Sequence, residues 1–200
     1  MTYHFVNLVS VSWFFGKDLN SSTLFCDGFT LALLSRIKGV RVKQISGPSM
    51  VDSVKNLPNL TILGGSGFDI DSHELPFWDD LGDVSLTTEI SDYIEEYDNI
   101  IVAISSPKQD KLALDINAKF PDKHIYCFGA AVKMKDEIKY LEKYNLMWLG
   151  FLRNQPKRTI IKISISIQRF FSLLILRKNK KEFRTVLKSF SNDIASIKRA

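Results

Sequence analysis

Asn99-Ile100-Ile101-Val102-Ala103-Ile104, followed at once by Ser105-Ser106-Pro107 and then by Lys108 to Lys119, decides the fold. The first six residues are a near-continuous apolar run, the mark of a strand covered on both faces, as parallel strands are. Ser105-Ser106-Pro107 stops that strand. Pro107 stands near the first position of the helix predicted over Lys108 to Lys119, where its missing N–H is one the helix would not use.

Working outward, the same alternation recurs. Thr23-Leu24-Phe25-Cys26 reads as a short strand ending at Asp27-Gly28, and a helix runs from Phe29 to Lys38 until Gly39 stops it. Asn59 to Leu63 is a strand leading into Gly64-Gly65-Ser66-Gly67. After an acidic, aromatic loop (His73 to Gly82), a helix is predicted over Ser85 to Tyr97, with Ser85 and Thr88-Glu89 as an imperfect capping signal. His124 to Phe128 is a further strand ending at Gly129, and Asp136 to Tyr144 a further helix. The alternation predicts an α/β layered body with a mostly parallel sheet and flanking helices.

In open α/β sheets, ligands bind outside the carboxyl ends of the strands. Four predicted strand ends carry suitable residues: Asp27-Gly28, Gly64-Gly65, Ser105 to Gln109, and Gly129-Ala130-Ala131. Glycines allow close backbone approach and helix N-termini offer amide dipoles to phosphate, with Lys108 adding a charge at one of them. Gly64-Gly65-Ser66-Gly67 has neither Rossmann nor P-loop spacing. The set as a whole points to a nucleotide-type ligand.

The chain has 200 residues, 45% hydrophobic and 24% charged, which excludes a disordered, collagen-like or coiled-coil protein. Two cysteines, Cys26 and Cys127, exclude a disulfide scaffold and a four-cysteine zinc site. They read as buried small hydrophobes rather than nucleophiles. No apolar run approaches the length of a membrane span and no signal peptide is recognisable, so a cytosolic location is expected. Charge divides the chain. Residues 1–150 hold 14 Lys and Arg against 20 Asp and Glu, while residues 151–200 hold 13 against 2, a net of +11. An acidic body (1–150) thus carries a basic appendage (151–200), which implies an anionic partner.

Thr159 to Leu176 reads as a helix. At 100° per residue, Lys162, Ser166, Arg169, Arg177, Lys180 and Arg184 gather on one stripe, and Ile160, Ile163, Ile167, Phe170, Phe171 and Leu174 on the other side. An apolar face with a cationic edge suits a helix lying in an anionic membrane interface, with the Arg177, Lys178, Lys180, Lys181 cluster at the headgroups. The same apolar face also suits packing on the body. The tail's phenylalanines lie away from its basic residues, which disfavours nucleic acid as the partner.

The combination resembles the WecG/TagA/CpsF glycosyltransferases, which attach amino sugars to polyprenyl-linked intermediates of bacterial surface polymers. The similarity runs from about Phe25 to Arg158. Ile100 to Asp110 looks like the family's strand followed by a Pro-Lys-Gln-acidic motif, and Phe25 to Gly28 like its Asp-Gly strand end. Ile45-Ser46-Gly47-Pro48 stands where the family has a glycine turn. Leu63-Gly64-Gly65 and Cys127 to Ala131 resemble its glycine-rich strand ends. Trp148, then Pro156-Lys157-Arg158, fits its closing segment. The chain is divergent: it has Ile104-Ser105-Ser106 where members have Gly-x-Gly, Met147 before the Trp where they have Glu, Phe151 for Arg, and Lys43-Gln44 for Glu-Arg.

The resemblance implies a Rossmann-like sheet and transfer of an N-acetylated amino sugar from a UDP-sugar to a polyprenyl-diphosphate-linked acceptor. The setting would be capsule, O-antigen or related cell-envelope polysaccharide synthesis at the cytoplasmic face of a bacterial membrane. Such a transfer needs a base for the acceptor hydroxyl and stabilisation of the departing diphosphate. Asp27 is the candidate base, giving inversion, or else the cap of the following helix. Gly28, Gly64, Gly65, Pro107, Lys108, Gln109 and Gly129 are candidate donor-binding residues, with plain turns and a solvated first helical turn as the rival reading. Arg153 and Arg158 are candidate diphosphate ligands, or simply part of the basic tail.

No cofactor and no metal are expected. Asp69-Ile70-Asp71, with His73 and Glu74 nearby, has a metal-binding spacing, but the family it resembles is generally metal-independent. His4, His73 and His124 are scattered without zinc spacing. A homo-oligomer is compatible with the apolar tail face. The alternative functions are a noncatalytic nucleotide-sugar or lipid-binding partner of a transferase and, behind it, a nucleic-acid-binding protein.

Overall fold

The computed structural model describes residues 1–65, 70–73, 75, 84–133, 147–154, 156–175 and 180–193. The strands are β1 (Thr2–Val6), β2 (Ser22–Cys26), β3 (Leu60–Leu63), β4 (Ser72–His73), β5 (Asn99–Val102) and β6 (His124–Cys127). All pair in parallel in one sheet of order β2-β1-β6-β5-β3-β4. The helices are α1 (Phe29–Ile37), α2 (Gly47–Val54), α3 (Thr88–Ile94), α4 (Lys108–Lys119), α5 (Met147–Asn154), α6 (Pro156–Ile175) and α7 (Lys180–Lys188). This is the α/β, Rossmann-like architecture that the alternation of apolar runs and helix patterns predicts.

Both faces of the sheet are covered, which is why its central strands read as unbroken apolar runs. On one face, Phe5, Phe25, Ile62, Ile101 and Tyr126 pack under Met50, Val51 and Val54 of α2. On the other, Ile100, Val102, Ile125 and Cys127 meet Ile90 and Ile94 of α3 and Leu112, Ala113 and Ile116 of α4. The β1–β2 end of this second face carries a separate core of Val6, Leu24 and Cys26 with Leu31 and Leu34 of α1.

Some elements depart from the sequence reading. β1 passes unnoticed in sequence because His4 and Thr2 interrupt its apolar pattern, yet all five of its residues are buried. α2 occupies the segment read as a glycine turn; Pro48 sits in its first turn, where proline is tolerated, and Met50, Val51 and Val54 anchor it. α3 starts three residues late: its cap is Thr87, whose side chain accepts from the Ile90 N–H, and not Ser85. The helix predicted over Asp136 to Tyr144 lies outside the described residues.

The tail differs most. One continuous stripe from Lys162 to Arg184 requires one helix, but α6 ends at Ile175 and α7 is a separate helix. α7 inserts Phe183, Val186 and Leu187 into the core around Val11, Phe14, Leu24 and Leu31. Beyond it, Phe190 bridges to Leu24 and the Ser191 N–H donates to the Leu24 carbonyl at 2.8 Å. The end of the basic segment is thus built onto the outer edge of β2. α6 is divided. Phe170, Leu173 and Leu174 pack against that core, and Lys38 Nζ donates to the Leu174 carbonyl at 2.8 Å. Ile160, Ile161, Ile167, Phe171 and Ile175 are exposed. No helix among the described residues is long and apolar enough to cross a membrane.

Candidate functional site

All six strands end at one edge of the sheet, and the turns that leave them assemble the candidate site. β3, β5 and β6 end level, with Leu63 opposite Val102 and Val102 opposite Cys127. β1 pairs His4 with Cys127 and Val6 with Cys26, so β1 and β2 extend about two residues beyond that line, and Asp27 stands at the tip of β2.

Asp27 is half-buried, and its N–H donates to the Val6 carbonyl at 2.7 Å. The cap position of α1 belongs to Gly28, which has no side chain to cap with. Gly28 has φ +96° and nothing within 4 Å of the place a Cβ would take, leaving its face open. α2 also begins at this edge: the Ile45 N–H donates to the Cys26 carbonyl, and Gly47 lies 3.7 Å from Phe5 and Ala131 at its missing Cβ. The α2 cap residue Ser46 makes no side-chain cap bond, and its buried Oγ has no hydrogen-bond partner among the described residues. α4 starts after Pro107, which supplies no cap either. The cap residues of α1, α2 and α4, Gly28, Ser46 and Pro107, therefore make no side-chain cap bond, whereas α3, packed over β3 and β5, is capped by Thr87. Helix N–H groups without a side-chain cap, at the positive end of a helix dipole, favour an anion.

The remaining predicted donor residues divide. Lys108 is half-buried in the first turn of α4 and Pro107 is exposed. Gln109 turns inward: it is 4% exposed, and its Nε2 donates to the Cys127 carbonyl at 3.4 Å. Gly64 and Gly129 have internal reasons to be glycine. Both have positive φ; a Cβ at Gly64 would collide with Ile104, and one at Gly129 would lie 3.1 Å from the Ile104 carbonyl and 3.2 Å from Gln109 Oε1. Gly65 is buried. Packing, more than ligand approach, accounts for Gly64 and Gly129.

Arg153 is exposed on α5, Lys162 and Lys181 are exposed, and Arg169 is half-buried. The side chains of Arg158 and Lys180, and the residues Arg177 and Lys178, lie outside what the structure describes.

Sequence reasoning missed a polar network beneath this edge. His4, fully buried on β1, shares a hydrogen bond of 2.8 Å between its Nδ1 and Asp110 Oδ1, and Ser106 Oγ donates to Asp110 Oδ2. The network pins the first turn of α4 to β1 and so fixes the Ser105 to Gln109 turn. The acidic residue after Lys108-Gln109 was visible in the sequence; its partner, 106 residues away, was not.

Cys127 joins His4 and Asp110 in a buried cluster whose candidate ligand atoms lie within 4.8 Å of one another. Burial, with Asp110 adding to it, pushes the Cys127 thiol well above its ordinary pKa, and both Asp110 oxygens already accept hydrogen bonds. A protonated thiol and an occupied carboxylate are a poor donor set for a metal. Of Asp69-Ile70-Asp71, Asp69 lies outside the described residues and Asp71 accepts from Tyr97 Oη at 3.1 Å. Burial and the neighbouring Asp27 carboxylate push the Cys26 thiol up to about 12, so neither thiol is a nucleophile at neutral pH.

No family model, no curated protein and no solved structure matches the chain, so its function is read from its own residues.

Proposed function

We propose that the chain is an inverting glycosyltransferase that moves a sugar, an N-acetylated amino sugar by the resemblance, from a UDP-sugar to a polyprenyl-diphosphate-linked acceptor at the cytoplasmic face of a bacterial membrane. The observation that carries this reading is the row of helix N-termini along the carboxyl edge, those of α1, α2 and α4, whose cap residues make no side-chain cap bond, with Asp27 at the β2 end beside the open face of Gly28. From β2 to β5 is three strand spacings, roughly 14 Å, a span that a nucleotide sugar covers.

In this reading the diphosphate lies across the N-termini of α1, α2 and α4, with Lys108 adding a positive charge. Asp27 takes the proton of the acceptor hydroxyl as that oxygen attacks the anomeric carbon. The bond from that carbon to the diphosphate oxygen breaks, and UDP leaves with the electron pair, its added charge met by the N–H groups. The stripe of Ile160, Ile167, Phe171 and Ile175 on α6, with Lys157 exposed beside it, would rest on the bilayer that holds the acceptor.

The test is UDP release from a panel of UDP-sugars with membrane lipid extract as acceptor, comparing the native chain with Asp27→Asn. Loss of a general base lowers turnover by roughly 10²- to 10⁴-fold. Equal turnover removes Asp27 from that role, and no release with any donor removes the transferase. The inward turn of Gln109 favours a second reading, a noncatalytic nucleotide-sugar binder. It predicts UDP-sugar binding by calorimetry without release.

A further inference from the structure

Beside the outer edge of β2, an open groove of about 590 Å³ is lined by Arg36, Arg41, Val42, Lys43 and Asn192. Arg36 comes from the last turn of α1, and Arg41 to Lys43 from the extended run before α2. Asn192 comes from the C-terminal segment that pairs with β2. The Lys43 N–H donates to Asn192 Oδ1 at 2.8 Å, tying the two walls together across 149 residues of chain. With its oxygen held by the Lys43 N–H, the Asn192 side chain still has its two NH₂ donors to offer. Two arginines, a lysine and an asparagine amide therefore line one groove, and each carries side-chain donors.

Among the described residues, no carboxylate lines the groove and none of Arg36, Arg41 and Lys43 forms an ion pair. Like charges held together without counter-charge repel one another, so a folded chain that gathers them is relieved by an anion. Guanidinium groups match phosphate oxygens two at a time. The groove shares no lining residue with the Asp27 site.

We propose that this groove is a second anion site, which takes the phosphate group of a phosphorylated ligand. Its volume falls within the range of small-molecule sites and leaves room for more than bare phosphate. Two sources share that chemistry, a soluble phosphate compound and a phospholipid headgroup. α6, with its exposed apolar stripe, packs on α1 through Lys38 and Leu174, so the groove and the stripe flank the same helix.

The experiment uses the full chain and two probes. Inorganic phosphate is titrated in low salt and followed by ¹H–¹⁵N NMR, reading the Asn192 side-chain NH₂ and the Arg36 and Arg41 Nε–H resonances. They are expected to shift saturably in the native chain. The triple variant Arg36→Gln/Arg41→Gln/Lys43→Gln is expected to weaken the shift of its remaining reporter, Asn192, by about tenfold or more, while Lys17→Gln, an exposed cation elsewhere, leaves it unchanged. All three replaced side chains are exposed, so the variant keeps its fold, which the dispersion of the spectrum checks.

Vesicles of phosphatidylcholine with phosphatidic acid identify the source. Vesicle binding that falls in the triple variant assigns the headgroup, whereas vesicle binding that is unchanged while the phosphate shifts are lost assigns a soluble ligand. Absence of saturable shifts at Asn192, Arg36 and Arg41 overturns the proposal. Gly28 and Ser46 resonances report separately on the carboxyl-edge site, so failure of this groove and failure of the transferase reading are distinct results.

Discussion

Phe183→Ala measures whether the end of the basic segment belongs to the folded body. Phe183 is 2% exposed and lies with Val186, Leu187 and Phe190 against Val11, Phe14, Leu24 and Leu31. Its ring also meets that of Phe15, with centroids 6.2 Å apart. Truncating a buried phenylalanine costs about 3–5 kcal/mol, transfer and cavity terms together, out of a total stability of about 5–15 kcal/mol. At 2–4 °C per kcal/mol for a chain of this size, the melting temperature should fall by roughly 6–20 °C. Urea unfolding followed by circular dichroism measures the loss directly, with Arg184→Ala on the exposed face of α7 as the control, expected within about 0.5 kcal/mol of the native chain. A loss below about 1 kcal/mol for Phe183→Ala, equal to the control, would refute the assignment of α7 to the core.

Gly64→Ala combines a positive φ with a collision at Ile104 and should cost about 2–4 kcal/mol, whereas Gly28→Ala, with open space around it, should cost only the 1–2 kcal/mol of its backbone conformation; chemical denaturation of the two variants separates them. Burial, helped by the nearby amino terminus, holds the His124 pKa below its ordinary 6.5. The folded state therefore binds fewer protons than the unfolded state in the window below 6.5. Stability falls as pH drops through that window, and His124→Gln should flatten the fall in melting temperature. Native Cys26 and Cys127 should resist a thiol reagent at neutral pH and react fully on unfolding; a fast native phase would contradict their burial.

Local pattern carried much of the body. The apolar run at Asn99 begins a buried strand, Lys108 to Lys119 is a helix, and the strands before Asp27 and after Asn59 are where the turn residues place them. These are decided within ten residues or so by side-chain period and by the stop signals of glycine and proline. β1 escaped because His4 looks like a break in an apolar run until Asp110 is seen beside it. The tail escaped for a related reason: Phe183, Val186 and Leu187 are spaced like any amphipathic helix, and the spacing does not say what they face.

Charge separation, the α/β alternation and the turn residues at the strand ends follow from sequence alone, because each is fixed by residue identity and short-range spacing. Strand order, the row of helix N-termini along the carboxyl edge, the His4–Asp110–Ser106 network and the Arg36–Arg41–Lys43 groove exist only in three dimensions. Each joins residues tens to more than a hundred positions apart. Such pairs meet only when burial of the sheet's two apolar faces has fixed which strands are neighbours, and no local pattern encodes that outcome.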